Sequence, residues 1–259
     1  MLIDGKKIAK AIIAKLKRLR VPNKTLAAIL IGESAQSLSF LKQKERVAKI
    51  LGIQFVLYKF SGRISEQNLI KKIEGINKMK GVGGIILQLP LPNQFNRSII
   101  LSAIDPKKDV DALAPESQKF INPLSVEVVR DVLNSAGKNI HNKKIAVIGA
   151  GFLIGKPIVG WLEKNNINFE LFTRKSDISK LKKFDLIISG VGKNGLIKPA
   201  MLRSNAVVID FGYDSICGKL KGDFDATGDL KKILYTPTPG GTGPVLVAEI
   251  FKNFYKLNK

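Results

Sequence analysis

Apolar and polar residues along this chain follow two different periods. Ile8, Ile12, Leu16 and Leu19 recur at helical spacing behind Asp4-Gly5, which predicts a packed first helix over about residues 6–20. The apolar run "LAAILIG" (26–32) then predicts a buried strand. Ser37 is placed to cap a helix through "FLKQKERVAKIL" that stops at Gly52. "IQFVLYKF" (53–60) predicts a second strand, and Ser65 opens a helix whose Leu69, Ile73 and Ile76 share one face. "GGIILQLPLP" (83–92) predicts a third strand ending in a proline turn, and turns and short helices fill 93–123.

The second half alternates more regularly. A helix over "VEVVRDVLN" links the halves. Strand "KIAVIGAG" (144–151), helix "KPIVGWLEKN" and strands "NFELFT", "DLIISGVG" and "AVVIDFG" follow in the β-α-β order of a Rossmann domain. "PVLVAEIFKNFYKL" is a closing helix. The fold class predicted is therefore α/β, without internal repeats.

Composition narrows the chemistry. The longest apolar runs are too short to span a bilayer, so no membrane insertion is expected. Cys217 is the single cysteine, which excludes an internal disulfide and fits a reduced, cytoplasmic setting. His141 is the single histidine, so no His/Cys zinc cluster and no metal is expected; no GxSxG elbow accompanies it, and "NIHNKK" reads as a polar loop. The formal net charge of +22 would suit nucleic acid, but its lysines are scattered along helix faces, as in "KKIAKAIIAKLKRLR". No zinc-finger spacing, RNP signature or basic-aromatic interleaving is present, so nucleic acid is not the expected partner. The basic, amphipathic N-terminus resembles a transit peptide only superficially, because its apolar spacing suits a packed helix.

"VIGAGFLIGKP" (147–157) sets Gly149, Gly151 and Gly155 between a strand and a helix. Such a loop brings the backbone close to a pyrophosphate, and the helix start adds unpaired N–H groups. The spacing GxGxxxG is weak alone and gains weight from its strand-helix-strand setting. The second strand ends in "FTRKSD". Arg174 and Lys175 stand where NAD enzymes commonly carry an acid, and basic residues there suit the 2′-phosphate of NADP. The alternative explanation of that pair is two surface cations in a lysine-rich chain.

Six motifs then coincide: "IDGKKIA", "GESAQSLSFLKQKERVAKILGI" (32–53), "GGIILQLPLP", "PKKDVDAL" (106–113), "VIGAGFLIGKP" and "TPTPGGTGPV" (236–245). In order and spacing, over nearly the whole chain, they resemble the bifunctional methylenetetrahydrofolate dehydrogenase/cyclohydrolase family. The resemblance implies a folate-binding catalytic domain at 1–123, with the C-terminal helix 244–259 packing back on it, and a Rossmann domain at 124–243 across a cleft. It implies NADP rather than NAD as cofactor, tetrahydrofolate as the substrate carrier, and a homodimer. Two successive reactions follow from it: hydride transfer from 5,10-methylenetetrahydrofolate to NADP, then hydrolysis of the methenyl cation to 10-formyltetrahydrofolate.

Residue by residue, the resemblance makes Lys44 the motif lysine, Gln88 the amide that holds it, and Asp111 the carboxylate for the N–H donors of the pterin-like ring. Phe40 stands where the family has a tyrosine, four residues before the lysine; it can stack on a ring but cannot donate a hydrogen bond. Gly241, Gly243 and Pro244 match the loop lining folate and nicotinamide. Gly149, Ala150, Gly151, Gly155, Arg174, Lys175 and Ser176 take the cofactor positions. Asp109 reads as structural, a turn cap. The family's "KDVDG" ends here in Ala112, its "PCTPxG" appears as "PLSVEV", its "GRS" as Gly149-Ala150-Gly151, and its "HSxT" as Thr173-Arg174-Lys175-Ser176. Because of Phe40 and the altered phosphate motif, two other readings stay open: a member keeping one activity, and a non-catalytic folate or nucleotide binder.

Overall fold

A computed structural model of the chain describes residues 1–216, 218–230 and 232–259. Cys217, on which the reduced-compartment expectation rests, lies outside the described residues. In chain order the elements are α1 (Gly5–Leu16), β1 (Thr25–Ile31), α2 (Ala35–Leu51), β2 (Gln54–Phe60), α3 (Glu66–Lys78), β3 (Val82–Leu87), α4 (Arg97–Ser102) and α5 (Leu124–Ser135). There follow β4 (Ile145–Ile148), α6 (Gly155–Lys164), β5 (Phe169–Phe172), β6 (Leu186–Ser189), β7 (Val207–Asp210), β8 (Asp214–Ile216), β9 (Lys219–Lys221), β10 (Leu234–Tyr235) and α7 (Thr242–Leu257). The chain divides into two compact units, one of Ala11–Leu124 with Val247–Lys259, the other of Met1–Lys10 with Ser125–Leu246. Among the described residues no helix is long and apolar enough to cross a membrane.

The unit of Ala11–Leu124 is built on a three-stranded parallel sheet, β2-β1-β3. Central β1 is buried from Leu26 to Ile31, which is why its sequence is an unbroken apolar run rather than an alternation. Leu26, Ala28 and Leu30 pack with Leu41, Ala48 and Leu51 of α2 and with Phe251, Phe254 and Tyr255 of α7. Truncating a fully buried ring such as Phe254 to alanine removes about 3–5 kcal/mol of stability. Ser65 caps α3 by accepting the Asn68 N–H, and Leu69, Ile73 and Ile76 are its buried face. The start of α2 differs from the expected one. Ser34, not Ser37, is the cap, and its hydroxyl accepts the Ser37 N–H at 3.2 Å. Ser37 already lies in the first helical turn, where its own side chain is buried. Gly52 ends the helix in the left-handed conformation, φ 70°.

The other unit carries a five-stranded parallel sheet in the order β10-β7-β6-β4-β5. From β4 the chain runs to β5 on one side and then to β6 on the other, so the order reverses between β4 and β6. In open α/β sheets ligands bind at the carboxyl ends of the strands flanking that point. One face is filled by Ile148, Phe172, Phe184, Ile187 and Val208, with Phe172 and Phe184 edge to face at 5.4 Å. Ile3 donates its N–H to the Tyr235 carbonyl at 2.7 Å, fastening the N-terminal segment to β10.

Asp210 at 1% and Asp223 at 0% exposure are among the carboxylates buried in this unit. Burial pushes the Asp210 carboxyl up to about 7; the Phe224 N–H opposes this and the charge of Asp223 adds to it. The unfolded chain releases this proton near pH 3.8, the folded chain near 7. The group's contribution therefore favours folding below about pH 4 and is lost as pH rises to about 7. Asp210→Asn cannot ionise. Between pH 5 and pH 8 it is expected to gain roughly 2 kcal/mol on the wild type in urea unfolding. Parallel pH curves for the two proteins would show that Asp210 is ionised throughout.

Candidate active site

Helix α2 sets Phe40 and Lys44 one turn apart, on the same face. Strand β3 ends at Leu87, and Gln88 follows, tied to β1 by its N–H on the Ile29 carbonyl at 2.9 Å. The Lys44 Nζ donates to Gln88 Oε1 at 3.0 Å, and Gln88 Nε2 donates to the Leu89 carbonyl at 2.7 Å. An ammonium group has no acceptor, so the amide must turn its oxygen to Lys44; the Leu89 carbonyl holds it that way round.

The "KDVD" segment lies along β3. Ile85 donates to the Lys108 carbonyl at 2.6 Å and accepts from the Val110 N–H at 3.4 Å. Asn253 of α7 donates to the Val110 carbonyl at 3.0 Å. Asp109 turns the chain: its carboxylate accepts the N–H groups of Asp111, Leu113 and Ala114 at 3.2, 2.9 and 3.1 Å. Ala112, in place of the family's glycine, sits at φ 51°, a left-handed conformation that costs a residue with a Cβ about 1–2 kcal/mol.

The turn brings Asp111, 7% exposed, into electrostatic contact with Lys44. Burial lowers the lysine's pKa, and the Asp111 charge partly restores it. Burial pushes the Asp111 carboxyl up to about 6, against the pull of Lys44 and with a further push from Asp109. A lysine shifted downward beside a carboxyl shifted upward can hold or release a proton near neutral pH. The three residues predicted as catalytic, Lys44, Gln88 and Asp111, therefore form one cluster.

In the other unit the loops after β4, β5 and β6 meet at the carboxyl edge of the sheet. Gly149 takes φ 88° and donates to the Phe172 carbonyl at 2.9 Å. A Cβ on Gly155 would overlap the Gly149 carbonyl oxygen, so this helix start admits only glycine. Gly151 is different: a Cβ there would make only ordinary contact, 3.7 Å from the Gly190 oxygen. Helix α6 has Ile154 at its N-cap and no side-chain capping bond; the Lys156 N–H goes to the Gly151 carbonyl at 2.9 Å and Pro157 has none, so the helix start offers a ligand the Gly155 N–H. Arg174 and Lys175 are exposed in a turn after β5 that closes with the Thr173 N–H on Ser176 Oγ at 2.9 Å. This edge fits a dinucleotide: backbone N–H groups for the pyrophosphate, the basic turn for a 2′-phosphate, and no acid directly at the strand end. Ala150, exposed in the loop, brings neither charge nor hydroxyl.

Gly241, Gly243 and Pro244 belong to this second unit. A Cβ on Gly241 would overlap the Pro237 carbonyl oxygen, which explains the glycine there. Gly243 has open space around its Cα, so close packing does not require it. Pro244 lies in the first turn of α7, where a missing N–H is harmless. His141 is exposed in a turn. The sequence reading did not single out Asp210, Asp223, Thr236 or Thr242, whose hydrogen bonds join the loops at this edge. The acid closing the buried run "AVVID" was the available signal for Asp210, and the motif "TPTPGGTGPV" contains Thr236 and Thr242 without assigning them a role.

Comparison with known proteins agrees with this geometry. Residues 3–111 match the family described as "Tetrahydrofolate dehydrogenase/cyclohydrolase, catalytic domain", and residues 123–259 match its NAD(P)-binding domain. The bifunctional protein FolD of Desulforamulus reducens is 34% identical, over 98% of this chain and 95% of that protein. That of Clostridium tetani is 32% identical over 99% of each. The crystal structure of the bifunctional FolD methylenetetrahydrofolate dehydrogenase/cyclohydrolase from Campylobacter jejuni superposes with a TM-score of 0.94 at 28% identity, covering 100% of this chain and 98% of that one. The Trypanosoma brucei FolD enzyme, solved with NADP cofactor and an inhibitor, gives 0.89 at 26% identity over 99% and 96%. By both domains and along its whole length, this chain belongs to the tetrahydrofolate dehydrogenase/cyclohydrolase family.

Proposed function

We propose that this chain oxidises 5,10-methylenetetrahydrofolate to the 5,10-methenyl form with NADP and hydrolyses that product to 10-formyltetrahydrofolate. The observation that carries the reading is the partly buried Lys44–Gln88 hydrogen bond with Asp111 beside it. A non-catalytic binder has no need of a lysine whose charge is penalised by burial. NADP, when bound, is the hydride acceptor, and Gly149, Gly155, the start of α6, Arg174, Lys175 and Ser176 would hold it.

The chain's own groups supply the rest. Asp111 accepts hydrogen bonds from the adjacent N–H donors of the pterin-like ring, for which a carboxylate is well matched. The substrate's positive charge lowers the pKa of Lys44 further. Neutral Lys44 then takes a proton from the water that adds to the methenyl carbon. It returns that proton to the ring nitrogen as the carbon–nitrogen bond opens, and the remaining hydroxyl proton leaves to solvent as the formyl C=O forms. Gln88 keeps the amine aimed at the reacting carbon, and Phe40 offers a ring face to the folate. Gly241, Gly243 and Pro244 form the loop that lines folate and nicotinamide. The functional domains are 1–123 with 244–259, and 124–243. The protein acts as a cytoplasmic homodimer; among the described residues β2 has a partner strand on one edge only, which leaves the other edge open for assembly. Turnover of methylenetetrahydrofolate with separate detection of NADPH and formyl product tests the reading. NADPH without formyl product would leave a dehydrogenase alone.

NADP is expected to bind at least tenfold more tightly than NAD, since a charge-assisted contact to phosphate is worth about 1.5–3 kcal/mol. Titration of both cofactors against wild type and Arg174→Ala decides it. Equal affinities in the wild type, or undiminished NADP binding in the variant, would leave Arg174 and Lys175 as plain surface charge.

A further inference from the structure

We propose that Asp223 and Asp210 are positioning residues for the nicotinamide dinucleotide, their carboxylates fixing the loops after β6 and β7 that wall the crevice at the carboxyl edge of the sheet. The inference rests on the NADP reading above.

Asp223 holds the loop after β6 with both oxygens. Its Oδ2 accepts the Ser189 hydroxyl at 2.6 Å and the Val191 N–H at 2.8 Å, and its Oδ1 accepts the Lys193 N–H at 2.7 Å. That loop begins beside the point where the strand order reverses. It packs directly on the glycine loop: a Cβ on Gly149 would lie 3.1 Å from Val191 Cγ2, and one on Gly190 would lie 2.6 Å from Ile154 Cγ2. Where residues 190–193 stand therefore sets the width of the crevice that Gly149 and the start of α6 border.

Asp210 ties the next two loops. Its Oδ1 accepts the Gly212 N–H at 2.6 Å and its Oδ2 accepts the Phe224 N–H at 2.9 Å. Its main chain bonds the hydroxyls of Thr236 at 2.8 Å and Thr242 at 2.9 Å, the two ends of "TPTPGGT". The two carboxylates interlock. A Cβ on Gly212 would overlap the Asp223 carboxylate, and one on Gly222 would overlap Asp210 Oδ2.

The chemistry is costly for mere scaffolding. The hydrogen bonds to these buried carboxylates come from backbone N–H groups and one serine hydroxyl, all uncharged, and an asparagine or serine could tie one loop without burying a charge. A carboxylate accepts from several loops at once, which a neutral side chain of that size cannot do. The surface beside these ties is that of a ligand site. Val191 and Leu153, at 43% and 45% exposure, present apolar side chains next to the glycine loop, as a planar ring would require.

The test uses the full chain and three substitutions: Asp223→Asn, Gly212→Ala, which crowds the same carboxylate without changing charge, and the milder Ser189→Ala. NADP affinity is measured by calorimetry, and methenyltetrahydrofolate hydrolysis, which consumes no nicotinamide, is measured on the same samples. In Asp223→Asn and Gly212→Ala the loss of NADP affinity should exceed any loss of hydrolysis by tenfold or more. Ser189→Ala should show a two- to fivefold excess. Equal losses of the two in every variant that folds would reduce the carboxylates to a fold-holding role and overturn the proposal, as would wild-type NADP affinity in Asp223→Asn. If Asp223→Asn does not fold, Gly212→Ala and Ser189→Ala decide by the same criterion. Absence of NADP binding by the wild type overturns the cofactor reading and this inference with it.

Discussion

Replacing Lys44 with glutamine is expected to slow methenyltetrahydrofolate hydrolysis by about 10²–10⁴-fold, the usual contribution of a positioned proton-transfer group. Lys44 donates to Gln88 Oε1, and Asp111 acts on its charge. Glutamine keeps a polar end near Gln88 but cannot take a proton from water. Lys44→Arg separates the two functions a lysine could serve: it keeps the positive charge and has no neutral form near neutral pH. If Lys44 is the proton acceptor, both variants are slow; if it acts only as a charge, arginine restores the rate. The fold should survive. Loss of the cation moves the Asp111 carboxyl up from about 6, which favours its neutral form over a lone buried charge. A raised carboxyl favours folding at low pH, and that contribution is lost as pH rises through the folded value. Unfolding of Lys44→Gln by urea should therefore show its largest deficit above pH 7 and little deficit at pH 5. Hydrolysis is followed by absorbance against the uncatalysed background, and wild-type turnover in Lys44→Gln would remove Lys44 from the mechanism.

Phe40→Tyr is expected to raise the hydrolysis rate roughly ten- to a hundredfold, because one hydroxyl is restored a single turn from Lys44. A hydrogen bond to a charged or reacting group is worth about 1.5–3 kcal/mol. Phe40 is half-buried on α2, so one added oxygen on an existing ring demands little backbone movement. The dehydrogenase step should respond less, since the nicotinamide carries the chemistry and the protein orients it. The opposite result has its own physical signature. A pocket repacked around phenylalanine would leave the new hydroxyl without a partner, at about 1–3 kcal/mol of stability. Both rates and the melting temperature are measured together; a folded variant whose hydrolysis is flat or slower would mean that Phe40 does not stand in for a lost catalytic group.

Much of the fold was legible in the residues because its signals are local. Burial on both faces leaves β1 unbroken in apolar sequence, and the period of Leu69, Ile73 and Ile76 marks the buried face of α3. Gly52 and Ser65 announce helix ends by their own conformational and hydrogen-bonding preferences. The start of α2 was less legible, since Ser34 and Ser37 are both competent caps and only the path of the chain into the helix selects Ser34. For the candidate site, the motifs named Lys44, Gln88 and Asp111, and their spacing placed Phe40 and Lys44 on one helical face. The partnership itself was decided in three dimensions. Lys44 and Gln88 lie 44 residues apart and meet because β3 pairs with β1, and the turn around Asp109 then brings Asp111 to them. Burial, which moves the charges of Lys44 and Asp111, is a property of the packed unit and of no residue alone. The same holds for Asp210 and Asp223. In sequence each is an ordinary acid, and only the strand order that brings β6, β7 and β10 side by side turns them into ties between loops.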